Sequence, residues 1–431
     1  MSGVRFLLAF LSLPLVGIPF QRFRIFRSLH PAARLGLAGA LGALALSVEM
    51  LLLTAFAIHW SIWVLLALPA AFGLARRGRY AMATPLGKDE SAPSLASMVT
   101  VVVLAVVAYA AATARATSSD LLLFWGAKGQ RFAQAGAIDV GFLRDPAHFL
   151  MHPDYPPMLP CLYAWATVVA GRFAWGASLL TLPLFLGLSA LTFFGFSRPV
   201  LGRRVATEYT SVLTALLGCV LVVSLTAGNA DPLLLYFEVL TLSALVFAGE
   251  RPEGVAAAAL GLAGAVLTKV EGTAFAVIVV VAYSVFFRKA RDGRSLELLA
   301  APPALALAAW FSFCHLNRLI DVYRIHSETT PMLAHLPMVF RKMGAAAGYG
   351  LAFIPWIVVL VLALGRQRTA GSTMALAVGS GFLAFVFYLY LRVPGDPSLW
   401  ITWSASRLLI TPLTCVFVSA AAPVRNARIF A

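Results

Sequence analysis

Apolar runs, most of about 17–25 residues and so long enough to cross a bilayer as a helix, recur along the whole chain. They fall at 5–20, 35–57, 58–74, 95–114, 175–196, 207–226, 232–249, 254–268, 273–287, 297–315, 344–364, 372–391 and 406–421. The pattern predicts about thirteen spans and an all-α, polytopic transmembrane helical bundle. One interruption stands out: "HPDYPP", residues 152–157. Pro153, Pro156 and Pro157 would break a spanning helix, so this segment belongs outside the hydrocarbon, held in an extended shape. The first run contains Pro14 and Pro19 and is followed by arginines, with no small-residue cleavage site. It reads as a retained span and not as a removable signal. A single linker-like passage, "ARRGRYAMATPLGKDESAPS" at 75–94, divides the N-terminal spans (1–91) from the remainder (92–431).

Composition agrees with the pattern. Hydrophobic residues make up 61% of the 431, charged residues 12%, and the mean hydropathy is +0.87. A soluble domain could not hide that much apolar surface. The net charge of +15 could point to nucleic acid, but the basic residues sit in short clusters between apolar runs, as cytoplasmic loops require. Cys161, Cys219, Cys314 and Cys415 are scattered through apolar stretches without paired spacing and read as small core residues.

Charge also sets topology. Six basic clusters, around Arg22, Arg76, Arg203, Arg288, Arg366 and Arg425, fall on one side if the spans alternate as given. That side is taken as cytoplasmic, with the N-terminus outside and the C-terminus inside. The scheme needs 156–171 to be a helix lying along the outer face, not a span. Residues 115–174, with HPDYPP, then form the longest outer loop, and 316–343 a second one.

Polar groups gather on that outer side. In "TSSDLLLFWGAKGQRF", 117–132, the order of Asp120, Phe124, Trp125, Lys128 and Arg131 predicts an amphipathic surface helix. Ser118 or Ser119 would cap it, and Asp120 would favour its dipole. Asp120 and Lys128 lie about 12 Å apart along such a helix, too far for an ion pair, leaving each free to face a ligand. In HPDYPP, Asp154 reads as a cap for a helix starting at Pro156 or Pro157, Tyr155 as an interfacial aromatic, and both also as ligand contacts. His148 and His152 are four apart, but Pro153 ends any helix carrying them and no second ligand cluster follows, so a divalent metal is not supported.

Asn229 and Asp231 stand where a span starts at Pro232. Asp231 reads as a cap, yet Glu238 shares its face two turns deeper, and a carboxyl inside a span faces a cavity or a partner. In "LTKVEG", 267–272, Lys269 and Glu271 mark a turn at the surface. Lys269 either snorkels or presents a cation to a phosphate. Arg407, at the outer end of the last span, runs against the charge rule and so calls for a partner. Its planar guanidinium suits phosphate.

These elements, in this order, resemble membrane-embedded glycosyltransferases of the GT-C class, which includes protein O-mannosyltransferases and lipid A aminoarabinose transferases. Asp120 is similar to the acidic residue opening that class's large outer loop, and HPDYPP to its segment leading into a surface helix. Asp231-Pro232, Leu267-Thr268-Lys269-Val270-Glu271-Gly272, and Arg407 before Leu408, Leu409 and Pro412 resemble its later motifs. The likeness covers about 95–421. It departs in having a single carboxylate at Asp120, not an acidic pair, which weighs against a metal, and no counterpart accounts for the first three spans.

The resemblance implies a sugar donor on a polyprenyl phosphate at the extracytoplasmic face of a bacterial inner membrane. The acceptor would be a lipid, glycan or protein hydroxyl, and no cofactor is expected. Asp120 would be the general base, while Lys269 and Arg407, with Lys128 or Arg324 assisting, would stabilise the phosphate leaving group. His152, Tyr155 and Asn229 would hold the sugar, with Asp154 in the same wall and Asp231 and Glu271 orienting the cations. The rival is a transporter or flippase of a lipid-linked precursor, with Glu49 and Glu238 in an ion pathway. A transporter concentrates polar groups near the bilayer midplane, whereas here they gather at one face.

Overall fold

The computed structural model describes residues 2–75, 94–116, 118–287, 293–319, 332–348, 355–359, 369–393 and 396–423. Helix is the only regular secondary structure among them. The linker expected at 75–94, most of the Arg76, Arg288, Arg366 and Arg425 clusters, Arg324 and much of the second outer loop lie outside the described residues.

Nine helices among the described residues are long and apolar enough to cross a membrane. Three further expected spans are shorter apolar helices, Ile62–Leu74, Pro252–Thr268 and Val270–Phe286. The remaining one, 344–364, falls largely outside the described residues. Thirteen full-length spans therefore overstate what is seen, because apolar composition continues through helices that stop short of a full crossing.

The central helix Asp231–Ser243 is buried at every residue. Its sequence is apolar on all sides apart from Asp231, Glu238 and a few hydroxyls, which suits a helix surrounded by others. At the periphery, Leu95–Thr113 buries only Val107 and Ala111 and turns Val101, Val102 and Val106 outward. An apolar exterior of that kind fits lipid and not water.

The early helices are built into this bundle. Trp165 Nε1 donates to the Ala9 carbonyl at 3.1 Å, and Phe6 and Phe10 pack on Tyr163. The Tyr236 hydroxyl donates to the Gly36 carbonyl. A methyl group on Gly195 would come within 2.0 Å of the Ala33 backbone nitrogen, so small residues let these helices approach closely. The C-terminal end of Pro31–Ala55 and the turn after it hold the long loop. Thr54 Oγ1 accepts from the Ile138 N–H at 3.0 Å, and the Trp60 N–H donates to Gly136 O at 2.7 Å.

Two expectations for the outer loop change. The helix at 156–171 is present as Met158–Ala170, but nearly all of it is buried, enclosed by Ser2–Leu11, Gly126–Ala135 and Pro31–Ala55. It has no polar face to offer water, so it packs as a core helix. The surface helix at 117–132 begins as a wide turn, Asp120–Trp125, and continues as Gly126–Ala135. Leu121, Phe124, Trp125, Lys128 and Phe132 face inward, while Leu122 and Leu123 are exposed.

Pro252–Thr268 and Val270–Phe286 meet at Lys269, the single extended residue between them. A Cβ on Gly272 would lie 2.0 Å from Ala265 O, so only glycine lets the second helix start against the first. Gly272→Ala is expected to lower stability by about 1–3 kcal/mol through backbone displacement. Thermal unfolding of the detergent-solubilised protein would register it, and an unchanged midpoint would contradict this packing.

Candidate active site

Five charged side chains from four parts of the chain meet where the helices Asp231–Ser243, Val270–Phe286 and Ser398–Leu408 begin or end. Asp231 opens the central helix, and its carboxylate faces two cations. One oxygen accepts from Lys269 Nζ at 3.1 Å, and the other lies 3.8 Å from Arg407. Lys269 also pairs with Glu271 at 3.3 Å. Arg407 donates to Asp120. The result is an ion chain: Glu271, Lys269, Asp231, Arg407, Asp120. The outward arginine thus has its partners, and Asp120 is paired where the sequence left it free.

Side-chain exposure grades along the chain of charges, from 6% at Lys269 and 7% at Asp231 to 18% at Arg407 and 35% at Asp120. The cluster therefore opens at the Asp120–Arg407 end. Three carboxylates stand against two cations. Buried Arg407 Nε and Glu271 Oε2 have no hydrogen-bond partner among the described residues, so the cluster keeps donor and acceptor capacity in reserve.

Asn229 sits beside this group. Its Oδ1 accepts from the Ser118 hydroxyl at 3.1 Å, so Ser118 is spent tying the Asp120 turn to the start of the central helix. Ser119 makes no side-chain cap either. The Asn229 turn is pinned by the Tyr163 hydroxyl, which donates to Gly228 O at 2.7 Å.

HPDYPP forms a second, adjoining group. Lys128 is buried at 2% exposure. Its ammonium donates to the His152 carbonyl and lies 4.2 Å over the Phe124 ring. His152 has a left-handed backbone, φ +50°, a costly conformation for a residue with a Cβ. Tyr155 packs edge-on against Phe124, Trp125 and His152, with centroids 4.8–5.7 Å apart. The Asp154 carbonyl accepts from Trp310 Nε1 at 2.8 Å. The next helix starts at Met158, with Pro157 in the cap position. Lys128 is thus turned to the inside of the loop and away from the ion chain. His148 turns elsewhere, its Nδ1 2.9 Å from Phe142 O.

Burial pushes the Lys128 ammonium down to about 7, against the pull of Asp154. A folded-state value below the unfolded one means that the unfolded chain holds more protons between about pH 7 and 10.5. Stability should rise with pH across that window. Lys128→Met should flatten the rise, and melting temperatures of the two proteins from pH 6 to 10 test it.

Among the described residues no group of three or more His, Cys, Asp or Glu side chains converges as a metal site. The carboxylates of the cluster are turned to Lys269 and Arg407. Two contacts could not be read from sequence: Ser118 on Asn229, and Thr411 on Glu238 at 2.7 Å. Both are contacts between residues far apart in the chain, 111 and 173 positions, and carry no spacing signal.

The helical bundle has a GT-C-like fold. The likeness is to the solved structure of ArnT from Cupriavidus metallidurans bound to undecaprenyl phosphate, with a TM-score of 0.52 and 18% sequence identity. The superposition covers 75% of this chain and 59% of that one, so the chain spans somewhat over half of ArnT's length. No protein-family model matches the chain, and no curated protein matches it. At this identity the likeness establishes the fold.

Proposed function

We propose that this protein is a membrane glycosyltransferase that moves a sugar from a polyprenyl-phosphate donor to an acceptor hydroxyl at the extracytoplasmic face. The ion chain from Glu271 to Asp120, open at one end, is the observation that carries the reading. It pairs a semi-exposed carboxylate with two cations, the groups a displacement at a sugar phosphate requires. The acceptor oxygen attacks the anomeric carbon, and its proton passes to Asp120. The bond from that carbon to the phosphate oxygen breaks, and the electron pair leaves on the lipid phosphate, stabilised by Arg407 and Lys269. A single displacement inverts the anomeric centre.

Arg407 is paired with Asp120. A lipid phosphate competes for the same guanidinium and so frees the carboxylate to act as base. Asp231 and Glu271 keep Lys269 and Arg407 charged and aimed. His152, Tyr155 and Asn229 remain the groups for the sugar. Lys128 is assigned to holding HPDYPP, because its ammonium is spent on the His152 carbonyl.

The likeness in fold supports the lipid part of this reading. ArnT, similar in fold, is bound to undecaprenyl phosphate. We place the protein in a bacterial inner membrane, with a lipid, glycan or protein as acceptor and no resident cofactor. A transporter of lipid-linked precursors accords less well, since the five paired charges of the ion chain lie at helix ends, while Glu49 and Glu238 lie within helices.

The test is transfer of radiolabelled sugar from polyprenyl-phosphate donors in membranes with and without the protein. Transfer that depends on the protein is expected. Its absence across donors and acceptors, with protein-dependent movement of a lipid-linked precursor across proteoliposomes, would replace the enzyme reading with transport.

A further inference from the structure

Glu238 is 1% exposed inside the central helix, seven residues and about two turns beyond Asp231. Its carboxyl accepts from the Thr411 hydroxyl at 2.7 Å. Other buried threonines of this bundle turn back on their own helix: Thr210 bonds Ala206 O, Thr214 bonds Thr210 O and Thr414 bonds Ile410 O. Thr411 instead reaches across to another helix. It follows Arg407 by four residues, and between them the helix is interrupted at Leu409, where Ser398–Leu408 gives way to Ile410–Ala421. Regular helix geometry therefore does not by itself fix Arg407 relative to the segment below it.

The central helix and the last span are tied at two levels, by Asp231 and Arg407 at 3.8 Å and by Glu238 and Thr411. A carboxyl at this depth is expensive, and the span would pack more simply with leucine. We infer that Glu238 is a positioning residue: through Thr411 it anchors the segment below the interruption and so fixes where Arg407 stands against Asp231 and Asp120. The inference rests on the reading that Arg407 receives the donor phosphate.

Glu238→Leu and Thr411→Val are each expected to lower kcat/KM for transfer about tenfold, the size of coupling seen between linked side chains. Glu238→Gln, whose amide oxygen accepts the same hydrogen bond, should stay within about twofold of wild type. In an Arg407→Lys background, which already lacks the guanidinium fork, Glu238→Leu should cost less than about a further twofold. A full additional loss there, or Glu238→Gln behaving as Glu238→Leu does, would overturn the inference.

A second cycle, of Thr411→Val with Arg407→Ala, is read by melting temperature and needs no activity. Additive shifts count against the inference and non-additive shifts support it, and this cycle alone decides if Arg407→Lys is inactive. If the wild type transfers nothing yet the melting shifts are non-additive, the glycosyltransferase reading fails while the tie between Glu238, Thr411 and Arg407 stands.

Discussion

Asp120→Asn should reduce sugar transfer by about 10²–10⁴-fold, the range associated with loss of a general base, while the protein keeps its fold. The carboxylate stands at the open end of the ion chain, 35% exposed, where an acceptor hydroxyl can reach it. Asparagine keeps an oxygen that accepts from Arg407, so the contact between the Asp120 turn and the last span survives in weaker form. Asp231 remains near the guanidinium at 3.8 Å, which spares Arg407 from losing every counter-charge. What asparagine lacks is the ability to take a proton. The measurement compares single-turnover transfer in membranes of wild type and variant, with melting temperatures alongside. Near-normal transfer by the variant would remove Asp120 from the chemistry and leave it as a partner of Arg407. A large fall in melting temperature would trace the loss to the fold.

Much of this site was legible because charge is conspicuous in an apolar chain. Asp231, Lys269, Glu271 and Arg407 each interrupt or end a run, and a charge at such a point needs a partner. Who pairs with whom was not legible, since the ion pair of Arg407 and Asp120 spans 287 positions and depends on how the helices pack. The segment 117–132 was misread for a physical reason. An amphipathic pattern places lysine outside when water is the solvent. Here Leu122 and Leu123 are exposed along with Ser119 and Arg131, and Lys128 turns inward, where the His152 carbonyl receives it. The helix at 156–171 shows the complementary limit. Its uniform apolarity marks a core helix as well as a membrane-facing one, and counting charges by side could not distinguish them. The GT-C architecture itself could be anticipated from motif order, as the ArnT likeness bears out, and the helices Pro252–Thr268 and Val270–Phe286 lie within a few residues of the runs read at 254–268 and 273–287.

Lys269→Met carries the second large effect, and it should divide stability from catalysis. Lys269 is buried between Asp231 and Glu271, and removing it leaves two carboxylates facing each other in a site closed to water. Breaking a buried pair from one side costs about 3–5 kcal/mol, and Arg407 near Asp231 keeps the expected value toward the lower end. The melting temperature should fall and transfer should be lost. Adding Asp231→Asn and Glu271→Gln to Lys269→Met removes the stranded charges, so the triple variant should regain much of the lost stability. It should not regain activity, because the cation that faces the leaving phosphate is still missing. Recovery of both would mean that Lys269 only neutralises its neighbours, and the phosphate would then rest on Arg407 alone. Recovery of neither would mean that the three side chains fix the junction of 252–268 with 270–286 through their shape and hydrogen bonds, with charge secondary.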